Sequence, residues 1–108
     1  MEIINQENIN AKEVADKLLE GKTMIYPTET CYGLGCDATN KDAVERIFEI
    51  KQRQKEKSLL ILVSDIDMLI DYVEWTPMLD KFSQRYWPGA LTVVVPLKND
   101  HPFPSGVV

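Results

Sequence analysis

Histidine occurs once and cysteine twice in this 108-residue chain. That scarcity removes several kinds of chemistry at the outset. Cys31 and Cys36 have no second pair to complete a four-ligand zinc site, and His101 is far away in sequence. The two thiols read as small residues near a turn. No apolar run approaches the roughly 20 residues needed to span a bilayer; the longest, Leu59 to Val63, lies between Lys57 and Asp65 and has the length of a strand. A membrane protein is not expected. The opening Met-Glu-Ile-Ile-Asn-Gln-Glu lacks the basic and apolar regions of a secretory signal, so a cytoplasmic location is expected. An excess of positive charge is also missing: the net charge is −5, which argues against a generally basic nucleic-acid binder. Repeats and low-complexity segments are absent as well.

What is present suits one folded domain spanning residues 1–108. Hydrophobic residues make up 44% and charged residues 27%, near the averages for folded proteins. Asn10 predicts the cap of a first helix whose apolar stripe is Val14, Ala15, Leu18 and Leu19 and whose stop is Gly21. Thr23 to Tyr26 reads as a strand ending at Pro27. Asn40 caps a second helix with Ala43, Val44, Ile47 and Phe48 on its apolar face, running to about Lys51. Ser58 to Val63 is expected to be a buried strand. Ser64 or Asp65 caps a short third helix reaching about Tyr72, and Thr76-Pro77 starts a fourth that stops before Trp87-Pro88-Gly89. Leu91 to Val95 is expected to be a further strand. Beyond Pro96 the tail reads as turn chemistry, with Val107-Val108 as the possible start of another strand. Helices and strands alternate, which predicts an α/β domain.

Two segments can carry chemistry. In Pro27-Thr28-Glu29-Thr30, two hydroxyls and a carboxylate follow a strand end, the usual place for ligand groups in an α/β sheet. Gly33 and Gly35 then offer positions where backbone can turn sharply or approach a ligand closely. The segment lacks the Gly-Lys-Ser/Thr of a phosphate loop and the full dinucleotide fingerprint, so an ordinary strand-to-helix connection stays open as a reading. The second segment is Lys51-Gln52-Arg53-Gln54-Lys55-Glu56-Lys57, which holds four of the chain's 12 basic residues. Residues two apart diverge on a helix, so Lys51 and Arg53 can converge on one anion only where the helix has ended. With Lys57 they would form a polyphosphate clamp. Trp87-Pro88-Gly89 reads as a structural corner.

Tyr26-Pro27-Thr28-Glu29-Thr30, Tyr32-Gly33-Leu34-Gly35-Cys36-Asp37-Ala38, Ile50-Lys51-Gln52-Arg53, Lys57-Ser58-Leu59-Leu60-Ile61-Leu62 and Trp87-Pro88-Gly89-Ala90-Leu91-Thr92 follow one another in the order and at the spacing of the YrdC/TsaC family, which the chain resembles. The resemblance implies a YrdC-like α/β fold, a twisted mixed sheet with flanking helices. It implies synthesis of threonylcarbamoyl-adenylate and pyrophosphate from L-threonine, bicarbonate and ATP, with magnesium, for tRNA modification. By the same resemblance Thr30 would bind L-threonine with Thr28 and Tyr32 shaping the pocket. Arg53 and Lys57 would contact ATP and Lys51 its phosphates. No protein nucleophile and no protein-held metal are implied, and downstream tRNA threonylcarbamoyl-transfer proteins would be partners.

Departures from the family pattern are Gln54 and Ser58, where many relatives carry proline, or glycine at the second position. An arginine in a Val-x-Arg-x-Pro-like strand and a Ser-x-Asn motif, both contributors to the family's site, are not found here. A domain incomplete at its C-terminus, with strand edges exposed, is therefore expected. Two other functions compete. One is a module for double-stranded RNA or tRNA without synthase activity, favoured by the local basic cluster and opposed by the net charge. The other is the related domain of hydrogenase-maturation carbamoyltransferases, which carries a different glycine-rich version of the first motif.

Overall fold

The computed structural model describes residues 1–107. A single 3-10 turn at Gln6–Asn8 precedes helix α1 (Ala11–Leu19), strands β1 (Met24–Pro27) and β2 (Tyr32–Gly35), and helices α2 (Lys41–Lys51), α3 (Ile66–Ile70) and α4 (Pro77–Tyr86). Backbone contacts group these into two compact units, one holding Met1–Leu60 and the described residues from Phe103 onward, the other Ile61–Pro102.

Each helix start is set by local side-chain chemistry. Asn10 Oδ1 accepts from the backbone N–H groups of Lys12 and Glu13 at 3.0 and 3.3 Å, and Asn40 Oδ1 from Ala43 at 3.0 Å. Asp65 and Thr76 do the same for Met68 and Leu79 at 2.8 and 3.1 Å. Three caps fall on the residues predicted for them and the fourth on Asp65, one of the two offered, because a cap needs only a short polar side chain and the donors left unpaired in the next turn.

The first unit builds its core on α2. Ala43, Val44, Ile47 and Phe48 are buried there, and so are Phe103 and Val107 of the tail. The tail, read from its sequence as turn chemistry, thus also contributes to the core. Gly106 has φ +100°, and a Cβ at that position would stand 2.6 Å from Cε2 of Phe48. The tail backbone thus lies directly against the Phe48 ring, and the Gly106 carbonyl accepts from Leu59 N–H at 3.1 Å. Val107 belongs to a turn closed by its N–H on the Pro104 carbonyl at 3.2 Å rather than to a strand, and Val108 lies outside the described residues. Helix α1 buries no residue fully. Val14 and Leu18 are half-buried, while Ala15 and Leu19 point outward, since residues one apart are rotated about 100° around the axis.

In the second unit Val73 and Leu79 are buried, and Ser83 donates its hydroxyl to the Asp80 carbonyl at 2.7 Å. Val73 forms an antiparallel bridge with Leu97, flanked by Glu74 N–H to Pro96 O at 3.0 Å and Lys98 N–H to Tyr72 O at 2.8 Å. Trp87 closes the predicted corner by donating from Nε1 to the Leu91 carbonyl at 2.8 Å.

The α/β class stands, with one change in the sheet. Among the described residues the ladder consists of β1 and β2, paired antiparallel with Tyr26 opposite Gly33. The predicted strands Ser58 to Val63 and Leu91 to Val95 keep a period-two burial pattern but have no ladder. Leu59, Ile61 and Val63 are half-buried, whereas Leu60 and Leu62 remain about two-thirds exposed at 66% and 68%. A strand is defined by a ladder with a neighbouring strand, and among the described residues neither segment has one, the single bond from Leu59 N–H to the Gly106 carbonyl not amounting to a ladder.

Candidate threonine and nucleotide site

The predicted loop from Pro27 to Gly35 is a β-hairpin. Pro27 and Tyr32 face each other across a four-residue connection, Thr28 to Cys31. Thr28 organises this tip. Its N–H donates to the Cys31 carbonyl at 3.1 Å, and its Oγ1 accepts from the N–H groups of Cys31 at 3.2 Å and Thr30 at 3.4 Å. The Thr28 hydroxyl proton goes to the Cys31 carbonyl. The side chain of Thr30 stands 3.4 Å from it, oxygen to oxygen, and both Thr30 and Tyr32 are exposed.

Gly33 and Gly35 do not make sharp turns, as their sequence context suggested; they lie within β2. Their missing side chains make room for Tyr26. A Cβ on Gly33 would meet Tyr26 Cζ at 2.8 Å, and one on Gly35 would meet Cε1 at 2.9 Å. An aromatic ring covering glycines on the adjacent strand is a recognised way to hold a glycine-rich strand in register. Tyr26 is therefore a residue that sequence reasoning left without a role. The usable signal was an aromatic followed by glycines on the same face of a hairpin.

The second cluster sits where α2 ends. Gln52 takes the left-handed conformation, φ 50° and ψ 39°, and its N–H donates to the Glu49 carbonyl at 3.2 Å. Arg53 N–H reaches back to the Phe48 carbonyl at 3.0 Å. This pair of bonds is a Schellman cap, here with glutamine where glycine is usual, at a cost of about 1–2 kcal/mol for a residue with a Cβ. The helix has thus ended between Lys51 and Arg53, as the clamp requires. Arg53 then turns onto its own loop, donating from Nε to the Lys57 carbonyl at 2.9 Å and from Nη2 to the Ser58 carbonyl at 3.2 Å. Lys55 pairs with Glu45 at 3.8 Å, and these two line a shallow groove with Phe48, Glu49 and Arg53. Lys51 and Lys57 are exposed.

All six predicted site residues, Thr28, Thr30, Tyr32, Lys51, Arg53 and Lys57, fall in the first unit. The three of the hairpin gather at its tip and the three cations around the α2 terminus. No hydrogen bond or ion pair among the described residues joins the two groups. The tip also carries exposed Cys31, whereas Cys36 is half-buried and its thiol is pushed up by burial and then by the Asp37 carboxylate. Because the thiolate is the nucleophile, iodoacetamide near neutral pH should label Cys31 well before Cys36, with Cys36 following only as the pH is raised. Equal rates by mass spectrometry would contradict that placement.

A family model of the Sua5/YciO/YrdC type, described as telomere recombination, matches residues 16–108. Threonylcarbamoyl-AMP synthase of Bacillus subtilis (strain 168) is 42% identical over 89 residues, covering 82% of this chain and 26% of that protein. Among solved structures, P. abyssi Sua5 complexed with L-threonine superposes with a TM-score of 0.81 at 34% identity, covering 98% of this chain and 30% of that one. A doubly substituted P. abyssi Sua5 gives 0.79 at 35% identity, covering 90% and 30%. The chain spans between a quarter and a third of the length of these relatives. With its motifs matched over nearly the whole of its length, the chain belongs to the Sua5/YciO/YrdC family.

Proposed function

We propose that this chain serves the synthesis of threonylcarbamoyl-adenylate, with the hairpin tip taking L-threonine and the α2 terminus taking ATP. The observation that carries this reading is the placement of Thr28, Thr30 and Tyr32 on one exposed tip, in a chain similar to a protein solved with L-threonine. A hydroxyl such as that of Thr30 both donates and accepts, so it suits an amino acid bearing a carboxylate and an amine.

In the reaction, the threonine amine and bicarbonate give a carbamate and water. A carbamate oxygen then attacks the α-phosphorus of ATP, the bond from that phosphorus to the bridging oxygen breaks, and pyrophosphate leaves. Negative charge grows on the departing phosphates. In this reading the cations of Lys51, Arg53 and Lys57 stabilise that charge more in the transition state than in the ground state. Since the substrate supplies the nucleophile, the residues act by holding two substrates in line rather than by covalent chemistry.

Among the described residues no three His, Cys, Asp or Glu side chains gather as a metal cage. Magnesium enters this reading as the companion of ATP's phosphates, and no step is assigned to it. Of the other functions, an RNA-binding module rests on the basic cluster, of which Lys55 is already turned to Glu45. No separate observation favours it.

The test is pyrophosphate release by this chain, and by a chimera in which it replaces the matching segment of the B. subtilis relative. Release that requires ATP, bicarbonate and L-threonine together is expected of the chimera. Release indifferent to threonine, or none at all, rejects the reading.

A further inference from the structure

Arg53 was expected to meet phosphate, yet its guanidinium already grips its own chain. Nε and Nη2 lie on one edge of the planar group, and that edge holds two consecutive carbonyls, those of Lys57 and Ser58, at 2.9 and 3.2 Å. The Schellman cap fixes where Arg53 starts, through its N–H on the carbonyl of Phe48, itself 4% exposed. Within the loop Lys57 N–H donates to the Gln54 carbonyl at 3.0 Å, and just beyond it Leu59 N–H meets the Gly106 carbonyl at 3.1 Å. No proline or glycine stiffens or relaxes the chain between Lys51 and Leu59. Arg53 and Lys57 would also repel one another there, Lys55 being paired with Glu45 at 3.8 Å and Glu56 being the loop's own carboxylate. Beside these backbone bonds, the Arg53 side chain supplies two more that close the segment at Lys57 and Ser58.

We propose that Arg53 is a positioning residue for Lys57: one edge of its guanidinium clasps the loop so that Lys57 is held before nucleotide arrives, while the N–H groups of Nη1 stay outside the clasp. This deepens the reading in which Lys57 contacts ATP and rests on it for its functional half. Lysine at position 53 keeps the charge but cannot span two carbonyls in a plane. Arg53→Lys therefore removes the clasp and spares the net charge.

Backbone relaxation of the nucleotide-free chain tests the clasp without reference to any activity. Order parameters of residues 54–58 should be near ~0.85 in the wild type and fall below ~0.6 in Arg53→Lys, with the amides of α2 unchanged. Unchanged order in the loop overturns the proposal. In the chimera, Arg53→Lys should raise the KM for ATP about tenfold, and adding Lys57→Ala to it should cost at most about twofold more, since a lysine already released has little left to lose. Effects of the two substitutions that simply multiply overturn the positioning role. A chimera that never uses ATP rejects the functional reading and Lys57's part in it, whereas the relaxation result still decides whether Arg53 clasps the loop.

Discussion

Replacing Gly106 with alanine should cost the folded chain about 2–5 kcal/mol, combining backbone strain with overpacking. The backbone there holds φ +100°, which side chains with a Cβ rarely adopt, and the added carbon would stand 2.6 Å from a ring atom of Phe48. Phe48 has no room to retreat, because it sits in the α2 core with 4% of its surface exposed. The same glycine takes the Leu59 N–H on its carbonyl, so the damage should spread to the end of the basic loop. Urea unfolding measures the effect as a lowered midpoint at an unchanged slope. Exposed Ser105→Ala, the neighbouring control, should stay within about 0.5 kcal/mol. An undiminished midpoint for Gly106→Ala would mean that the tail does not lie on Phe48.

The second large effect separates two threonines that look alike in sequence. Thr28 spends its hydroxyl inside the tip, on the backbone of Thr30 and Cys31. Thr30 makes only long side-chain contacts, at 3.4 Å to Thr28 Oγ1 and 3.9 Å to Cys31 Sγ. In the chimera, Thr30→Val should raise the KM for L-threonine by roughly 10- to 100-fold, the loss of one to two hydrogen bonds to a charged ligand, while leaving stability nearly unchanged. Thr28→Val should also lower stability, by about 1 kcal/mol, because its loss unpairs backbone donors at the turn. Steady-state kinetics beside urea unfolding separates the two. Equal stability losses at both positions would contradict the division of labour.

The parts of this fold that were legible in sequence are those set by a few neighbouring residues. Asn10, Asn40, Asp65 and the Thr76-Pro77 pair announce their helices because a cap acts within one turn. The end of α2 between Lys51 and Arg53 could be placed by the same local logic. What stayed hidden depends on partners distant in sequence. Gly33-Leu34-Gly35 has poor strand propensity, and becomes a strand through pairing with β1 and the cover of Tyr26. Phe103 to Val107 has turn composition, and its burial is decided by α2, more than fifty residues earlier. The apolar run at Ser58 to Val63 promised a strand buried on both faces, yet only alternate residues turn inward. For the candidate site, spacing suggested that Lys51, Arg53 and Lys57 converge but carried no sign that the arginine would fold back onto carbonyls of its own loop.

The chemical identity of the product tests the central claim most directly. The chimera, supplied with ATP, L-threonine and carbon-13-labelled bicarbonate, should form an adenylate carrying both threonine and the labelled carbon, and should form it only when all three are present. Pyrophosphate or AMP appearing without that threonine-bearing, labelled adenylate would contradict the account.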